Sequence, residues 1–345
     1  MMKTSSWNTK HLTGAVGAVA LALMLTACSS GQVVPSSGPT KVANKSGAIE
    51  IVYLQKQGDQ QYFVDQANGA KATAKKLGGV TVTVVNLGTD SNKAISELDA
   101  VIARGVDGIV MVAPDQAIGP QVIDKAKQAG IPLLASDDGL KDASGTAAPF
   151  VGFNGTAMGK SIGKKAAELY TAAGWKASDT KIVAAGKADL SVCVQRLEGA
   201  ASAFGTKVSD MPKPTNLGTD NSATDALNKA GPVITANQGV KHWVVWGCND
   251  ESATGVVTAL QNAGVAPSNI IGVGLGAYLT CKDWAAGQQT GNKASLYISG
   301  QDVGRAAITA MVAKVRKGVA LPPETIAATH MVDATNWKAA GVVCT

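Results

Sequence analysis

The residues most obviously able to do chemistry are two adjacent carboxylates, Asp137 and Asp138, which follow an apolar run over residues 131–135. Paired carboxyl groups are what glycoside hydrolysis uses, one as acid and the other as base or nucleophile. Neighbours in an extended chain point to opposite sides, so an adjacent pair is poorly placed to flank one scissile bond. A nucleotide site is suggested by Gly155-Thr156-Ala157-Met158-Gly159-Lys160-Ser161. A phosphate loop needs four residues between its glycines and this stretch has three, so it reads as a helix start. Gly272-Val273-Gly274-Leu275-Gly276 lacks the third-glycine spacing of a dinucleotide fingerprint. Three histidines in 345 residues are too few for a metal cluster or a His-dependent triad, and no cysteine pair has CxxC spacing. An enzyme, a metal site and a cofactor are all unexpected here.

Composition narrows the class further. The chain is 46% hydrophobic and 16% charged, enough apolar material for a core and too little charge for a disordered chain. The formal charge of +6 is scattered along the sequence, without the basic patch and interleaved aromatics of a nucleic-acid binder. Residues 1–28 read as an address. Lys3 and Lys10 precede an uncharged apolar run, residues 14–27, too short to span a bilayer. The run ends in Leu25-Thr26-Ala27-Cys28, which resembles the bacterial lipobox, in which the cysteine is lipidated and becomes the new N-terminus. A diacylglycerol on Cys28 would hold the protein to a membrane. Residues 29–47, rich in Ser, Gly and Pro, then read as a flexible tether. The protein is expected to be exported and lipid-anchored, facing the periplasm or cell exterior.

The remaining sequence alternates strand and helix. Apolar, β-branched runs predict strands over residues 49–54, 80–85, 108–112, 131–135, 150–153, 182–185, 242–246 and 270–273. Helical spacing predicts helices over residues 62–77, 118–129 and 249–263, one starting at Ser91 as N-cap, one running to Tyr170 and one passing through Arg196 and Phe204. This rhythm predicts an α/β fold with parallel sheets covered on both faces. The strands are too many for one compact sheet, which predicts two doubly wound domains joined near Phe153. Ligands bind such sheets outside the carboxyl ends of the strands. Those ends are polar here: Gln55-Lys56-Gln57-Gly58-Asp59, Ser136-Asp137-Asp138, Phe153-Asn154, Gly247-Cys248-Asn249-Asp250. Tyr62, Phe153, Trp246 and Tyr278 lie beside them. Hydroxyl partners next to aromatic faces suit a sugar, although any single Asp or Asn after a strand can equally be a helix cap.

Between residues 48 and about 343 the chain resembles the ribose/galactose/arabinose class of sugar-binding proteins of bacterial ABC importers, and within it the arabinose-binding pattern. The most specific stretch is Val240-Lys241-His242-Trp243-Val244-Val245-Trp246-Gly247-Cys248-Asn249-Asp250. Leu54-Gln55-Lys56-Gln57, Ser136-Asp137-Asp138 and Ile270-Ile271-Gly272-Val273-Gly274 are also similar. The resemblance implies the class I periplasmic binding protein fold, two doubly wound Rossmann-like lobes joined by a three-strand hinge with one sugar between them. The N-terminal lobe would be residues 48–153 plus 299–327, the C-terminal lobe 154–298 plus 328–345.

Carried over residue by residue, the resemblance makes Lys56 a donor to sugar hydroxyls. Asp138 would accept from the anomeric hydroxyl, with Asp137 beside it. Arg196 would donate to the ring oxygen, and Asn249 would donate and accept. Tyr62 and Phe153 would pack on the sugar, Gln60 stands for a glutamate and Cys248 for a methionine. The pattern breaks at Gly276, where an asparagine is expected, and at Leu279, where an aspartate is expected. An apolar or empty wall there would leave room, with Tyr278 beside it, and a furanose or bulkier hexose of the arabinose or galactose class would fit. The implied role is a monomer that captures a monosaccharide and hands it to an ABC transporter permease. The alternative is a receptor that presents its closed form to a membrane sensor. Spacing alone allows three pairings of Cys193, Cys248, Cys281 and Cys344; the implied fold favours Cys193–Cys248 and Cys281–Cys344.

Overall fold

The structure is a computed structural model and describes residues 45–344. The leader, Cys28 and residues 29–44 of the tether lie outside the described residues.

The first sheet is built from β1 (Ile49–Lys56), β2 (Val80–Gly88), β3 (Gly108–Val112), β4 (Leu133–Asp137), β5 (Phe150–Gly152) and β11 (Thr325–Ile326), in the order β11-β5-β4-β3-β1-β2 and all parallel. The second contains β6 (Thr180–Gly186), β7 (Thr215–Gly218), β8 (His242–Gly247), β9 (Ile270–Gly276), β10 (Asn292–Ile298) and β12 (Thr329–Val332), in the order β12-β10-β9-β8-β6-β7. Only β12 is antiparallel to its neighbour, β10. Central strands such as β3 and β9 are buried along their whole length, which explains their near-continuous apolar sequence.

Helices α1 (Gln61–Leu77), α2 (Ser91–Ala103), α3 (Gly119–Gln128) and α9 (Gly300–Lys317) cover the first sheet. Helices α4 (Gly155–Ala172), α5 (Ser191–Lys207), α6 (Ala223–Thr235), α7 (Asp250–Asn262) and the short α8 (Thr280–Ala285) belong to the second. Each sheet is packed on both faces, and the chain passes between lobes three times: from β5 to α4, from β10 to α9 and from β11 to β12.

Two local expectations are refined. Helix α2 is capped by Asp90, whose carboxylate accepts from the Asn92 and Lys93 N–H groups, so Ser91 is its first residue and not its cap. The glycine-rich segment from Gly155 begins α4, capped by Asn154. The structure joins Cys193 to Cys248 and Cys281 to Cys344. Among the described residues no helix is long and apolar enough to cross a membrane.

Candidate functional site

The carboxyl ends of the two sheets face one cleft. β1 ends in Lys56, which is 4% exposed. Just before it, buried Gln55 donates Nε2 to the Phe63 carbonyl (2.9 Å) and to Gln66 Oε1 (3.1 Å). These bonds tie the first turns of α1 to the strand end and present Lys56 and Tyr62 together.

β4 ends at Asp137, which sits at φ 66°, the left-handed region that non-glycine residues seldom enter. The bend carries both carboxylates to one ammonium: Lys56 Nζ pairs with Asp138 Oδ2 and lies 3.9 Å from Asp137 Oδ2. The expectation that these neighbours point apart holds only for extended backbone, and Asp137 is not extended. Tyr62 donates its hydroxyl to Asp137 Oδ1 at 2.7 Å. Burial, with the adjacent Asp138 charge, pushes the Asp137 carboxyl upward against the pull of Lys56 and Arg196.

The second lobe contributes Arg196 from α5. Helices α4 and α5 touch backbone to backbone: a Cβ on Gly159 would fall 2.1 Å from the Arg196 carbonyl oxygen. Arg196 Nη1 donates to the Cys248 carbonyl at 3.1 Å. Asn249 is both cap and site residue. Its Oδ1 accepts from Ser252 N–H at the start of α7, while Nδ2 donates to the Asn221 carbonyl (2.8 Å) and to Glu251 Oε2 (2.7 Å). Glu251 also accepts from Tyr278 OH, and from Gln60 Nε2 at 2.6 Å across the cleft.

Lys56, Gln60, Tyr62, Asp137, Arg196 and Asn249 therefore line one polar cavity between the two sheets. Asp138 and Phe153 line an adjoining cleft with Phe150 and Asn154. Cys248 is fully buried and does not line the cavity itself; its carbonyl accepts from Arg196 and its sulfur is bonded to Cys193, both of which do. Gly276 lies under Tyr278 rather than on the central cavity: it has φ 125°, and a Cβ there would be 2.4 Å from the Tyr278 ring. The expected open wall is thus filled by Tyr278. Leu279 contributes its N–H to Asp250 Oδ2 at 2.8 Å, and Thr280 and Ser295 occupy the rest of that buried carboxylate.

Sequence reading missed Glu251 and Asn221. The run Asn249-Asp250-Glu251 at a strand end was a visible signal for the first. Asn221 follows β7, a four-residue strand too short to register as one. Among the described residues no three His, Cys, Asp or Glu side chains are grouped to hold a metal ion.

Two parallel-sheet lobes with a polar cavity between their strand ends define a two-lobed binding protein. The chain belongs to the family of the periplasmic binding protein domain, whose model matches residues 51–318, a family of substrate-binding transport proteins and not of enzymes. Over 313 residues the chain is 26% identical to the ABC transporter L-arabinose-binding periplasmic protein of Azospirillum brasilense, covering 88% of this chain and 91% of that one. It is 25% identical over 257 residues to the L-arabinose-binding periplasmic protein of Escherichia coli strain K12, covering 72% and 76%. The structure of a carbohydrate transporter solute binding protein from Agrobacterium radiobacter in complex with D-arabinose matches with a TM-score of 0.74. It has 20% identity and covers 86% of this chain and 98% of that one, which speaks to the fold alone.

Proposed function

We propose that this chain is an extracytoplasmic solute-binding lipoprotein that captures one monosaccharide between its lobes and delivers it to the permease of an ABC importer. Lipid on Cys28 holds it to the membrane, and it works as a monomer. The observation that carries this reading is the cluster of Lys56, Asp137, Asp138 and Tyr62 in one lobe, facing Arg196 and Asn249 in the other. Lysine and arginine supply only donors, ionised carboxylates only acceptors, and asparagine both, which is the mixture a polyol ring needs.

Two buried atoms, Asp138 Oδ1 and Arg196 Nε, have no hydrogen-bond partner among the described residues. Leaving such groups unpaired costs about 1–3 kcal/mol each. An acceptor and a donor in this state are suited to a hydroxyl and a ring oxygen. A buried ion pair such as Lys56–Asp138 is a weak source of stability, because each charge gives up its hydration, so its place here is better explained by recognition. Each lobe offers part of the hydrogen-bonding set, so the sugar favours the closed form by binding both. The ligand is a monosaccharide of the arabinose or galactose class; the two named relatives are L-arabinose-binding proteins. Tyr278 walls the side where the arabinose-binding pattern has an amide and a carboxylate, so the preferred ring form or substituent differs on that side.

The test is a thermal-shift screen of the purified protein over pentoses, hexoses, sugar alcohols and nucleosides. A ligand at ~100 times its dissociation constant adds about 2.7 kcal/mol of stability. A shift confined to monosaccharides supports the assignment; a shift with nucleosides alone, or with none of the panel, overturns it.

A further inference from the structure

Glu251 is the second residue of α7 and accepts hydrogen bonds from three side chains. Asn249 Nδ2 donates at 2.7 Å, Tyr278 OH at 2.8 and 2.7 Å to the two carboxyl oxygens, and Gln60 Nε2 at 2.6 Å. Gln60 immediately precedes α1 in the first lobe, whereas Asn249 and Tyr278 belong to the second. All three donors line the central cavity. One carboxyl group therefore ties lobe to lobe and holds three walls of the cavity.

The surrounding sequence is arranged for this. Gly276 has no side chain, so the Tyr278 ring can lie against it and carry its hydroxyl to Glu251. Asp250 does not compete for the same donors. It is fully buried and occupied by the Leu279 and Thr280 N–H groups and by the Thr280 and Ser295 hydroxyls.

We propose that Glu251 is a proton-linked latch of the closed form: its carboxyl joins the lobes through Gln60, positions Tyr278 and Asn249 around the ligand, and takes up a proton from solvent as the lobes close. The positioning half rests on the sugar-binding reading above; the latch half does not.

The ionisable and polar groups that face Glu251 are Asp250 on its own helix, Tyr278 from the segment after β9, Gln60 from α1 and Asn249. Arg196 acts in turn on Tyr278. Burial is the largest influence and pushes the carboxyl up to about 7, against the hydrogen bonds from Tyr278 and Gln60. When the lobes part, Gln60 leaves and water returns, so the carboxyl moves back toward its ordinary value of 4.5. Between those values closure binds a proton, and the closed form is favoured as pH falls through 7. The neutral acid keeps one oxygen to accept and gains an O–H that can donate to the Gln60 amide oxygen. Glutamine mimics the neutral acid; alanine removes the latch.

The experiment has two readouts. Small-angle scattering of the sugar-free protein at pH 6 and pH 8 reads closure without any ligand. Titration calorimetry with L-arabinose and with D-galactose at the same two pH values reads the site. Wild type is expected to be more compact at pH 6 than at pH 8, and its sugar affinity to rise by up to about tenfold on going from pH 8 to pH 6. Asp137, also pushed up by burial, contributes a slope of its own, so the slope lost in Glu251→Gln is the part that belongs to Glu251. Glu251→Gln should stay compact and bind tightly at both pH values. Glu251→Ala should be the more open protein at both and bind at least tenfold more weakly. Scattering that is independent of pH in wild type, or Glu251→Ala as compact as Glu251→Gln, overturns the latch. Absence of sugar binding by wild type, with the scattering behaving as stated, overturns only the sugar assignment.

Discussion

Arg196 Nη1 donates to the Cys248 carbonyl at 3.1 Å, and Cys248 is disulfide-bonded to Cys193, which lies one turn before Arg196 on the same helix. The disulfide and the hydrogen bond close a small ring between α5 and the end of β8. That ring holds Arg196 beside Asn249, the residue after Cys248. The covalent link therefore fixes the geometry of the second lobe's half of the site, beyond whatever it adds to global stability.

Opening this ring has a definite expected outcome. In Cys193→Ser/Cys248→Ser the 55-residue separation between the joined positions is no longer restrained, and unfolding free energy should fall by about 2–4 kcal/mol. Monosaccharide affinity should fall as well, because Arg196 and Asn249 lose their common anchor. Removing the Cys281–Cys344 bond, which joins a different cluster with Trp284 and Trp337, should lower stability and leave affinity within twofold. Denaturant unfolding and calorimetry on both variants check this; equal affinity losses in the two would contradict it.

Gly276→Asn restores the residue that the arabinose-binding pattern expects, yet it should damage this protein. At φ 125° a side chain is strained, and its Cβ would meet the Tyr278 ring at 2.4 Å. Stability should fall by about 1–3 kcal/mol, and Tyr278 should leave Glu251. Thermal unfolding measures the first effect and the pH dependence of sugar affinity the second. A stable variant with improved L-arabinose binding would contradict this account of the wall.

Stability without ligand should decline as pH rises from about 5 to 8. Glu251, at about 7, holds a proton in the native state that the unfolded chain has already released, and the upward push of burial on Asp137 acts in the same direction. Where the native state binds more protons, stability decreases with rising pH. Asp142 and Asp225, held low by hydrogen bonds from Ser144 and Lys229, titrate below this window. Differential scanning calorimetry of wild type and Glu251→Gln checks this. The wild-type Tm should drop across the range and the variant's should drop less.

The alternation of strand and helix, and with it the two-lobed α/β architecture, was legible in the sequence. Buried parallel strands must be apolar throughout, and runs such as Gly108-Ile109-Val110-Met111-Val112 carry that demand openly. Strand β7, Thr215–Gly218, was not legible, because an edge strand of four residues has no buried run to show. Lys56, Asp137, Arg196 and Asn249 were recognisable as polar residues at strand ends or by family resemblance. The turn at Asp137 was hidden, since nothing in its side chain announces a left-handed backbone. Glu251 was hidden for a different reason. A glutamate in the first turn of a helix is ordinarily a favourable charge at the helix dipole, and only the arrival of Gln60 from 191 residues away gives it another role.

Titration calorimetry of wild type and Asp138→Ala with L-arabinose and D-galactose decides whether this cleft holds the sugar. Asp138 is 2% exposed, paired with Lys56, and has one carboxylate oxygen without a partner among the described residues. One sugar should bind per wild-type chain, and a folded Asp138→Ala should lose at least tenfold in affinity, following the ~1–3 kcal/mol cost of a lost buried partner. Unchanged sugar affinity in Asp138→Ala with its fold intact would contradict the claim that this cleft is the sugar site.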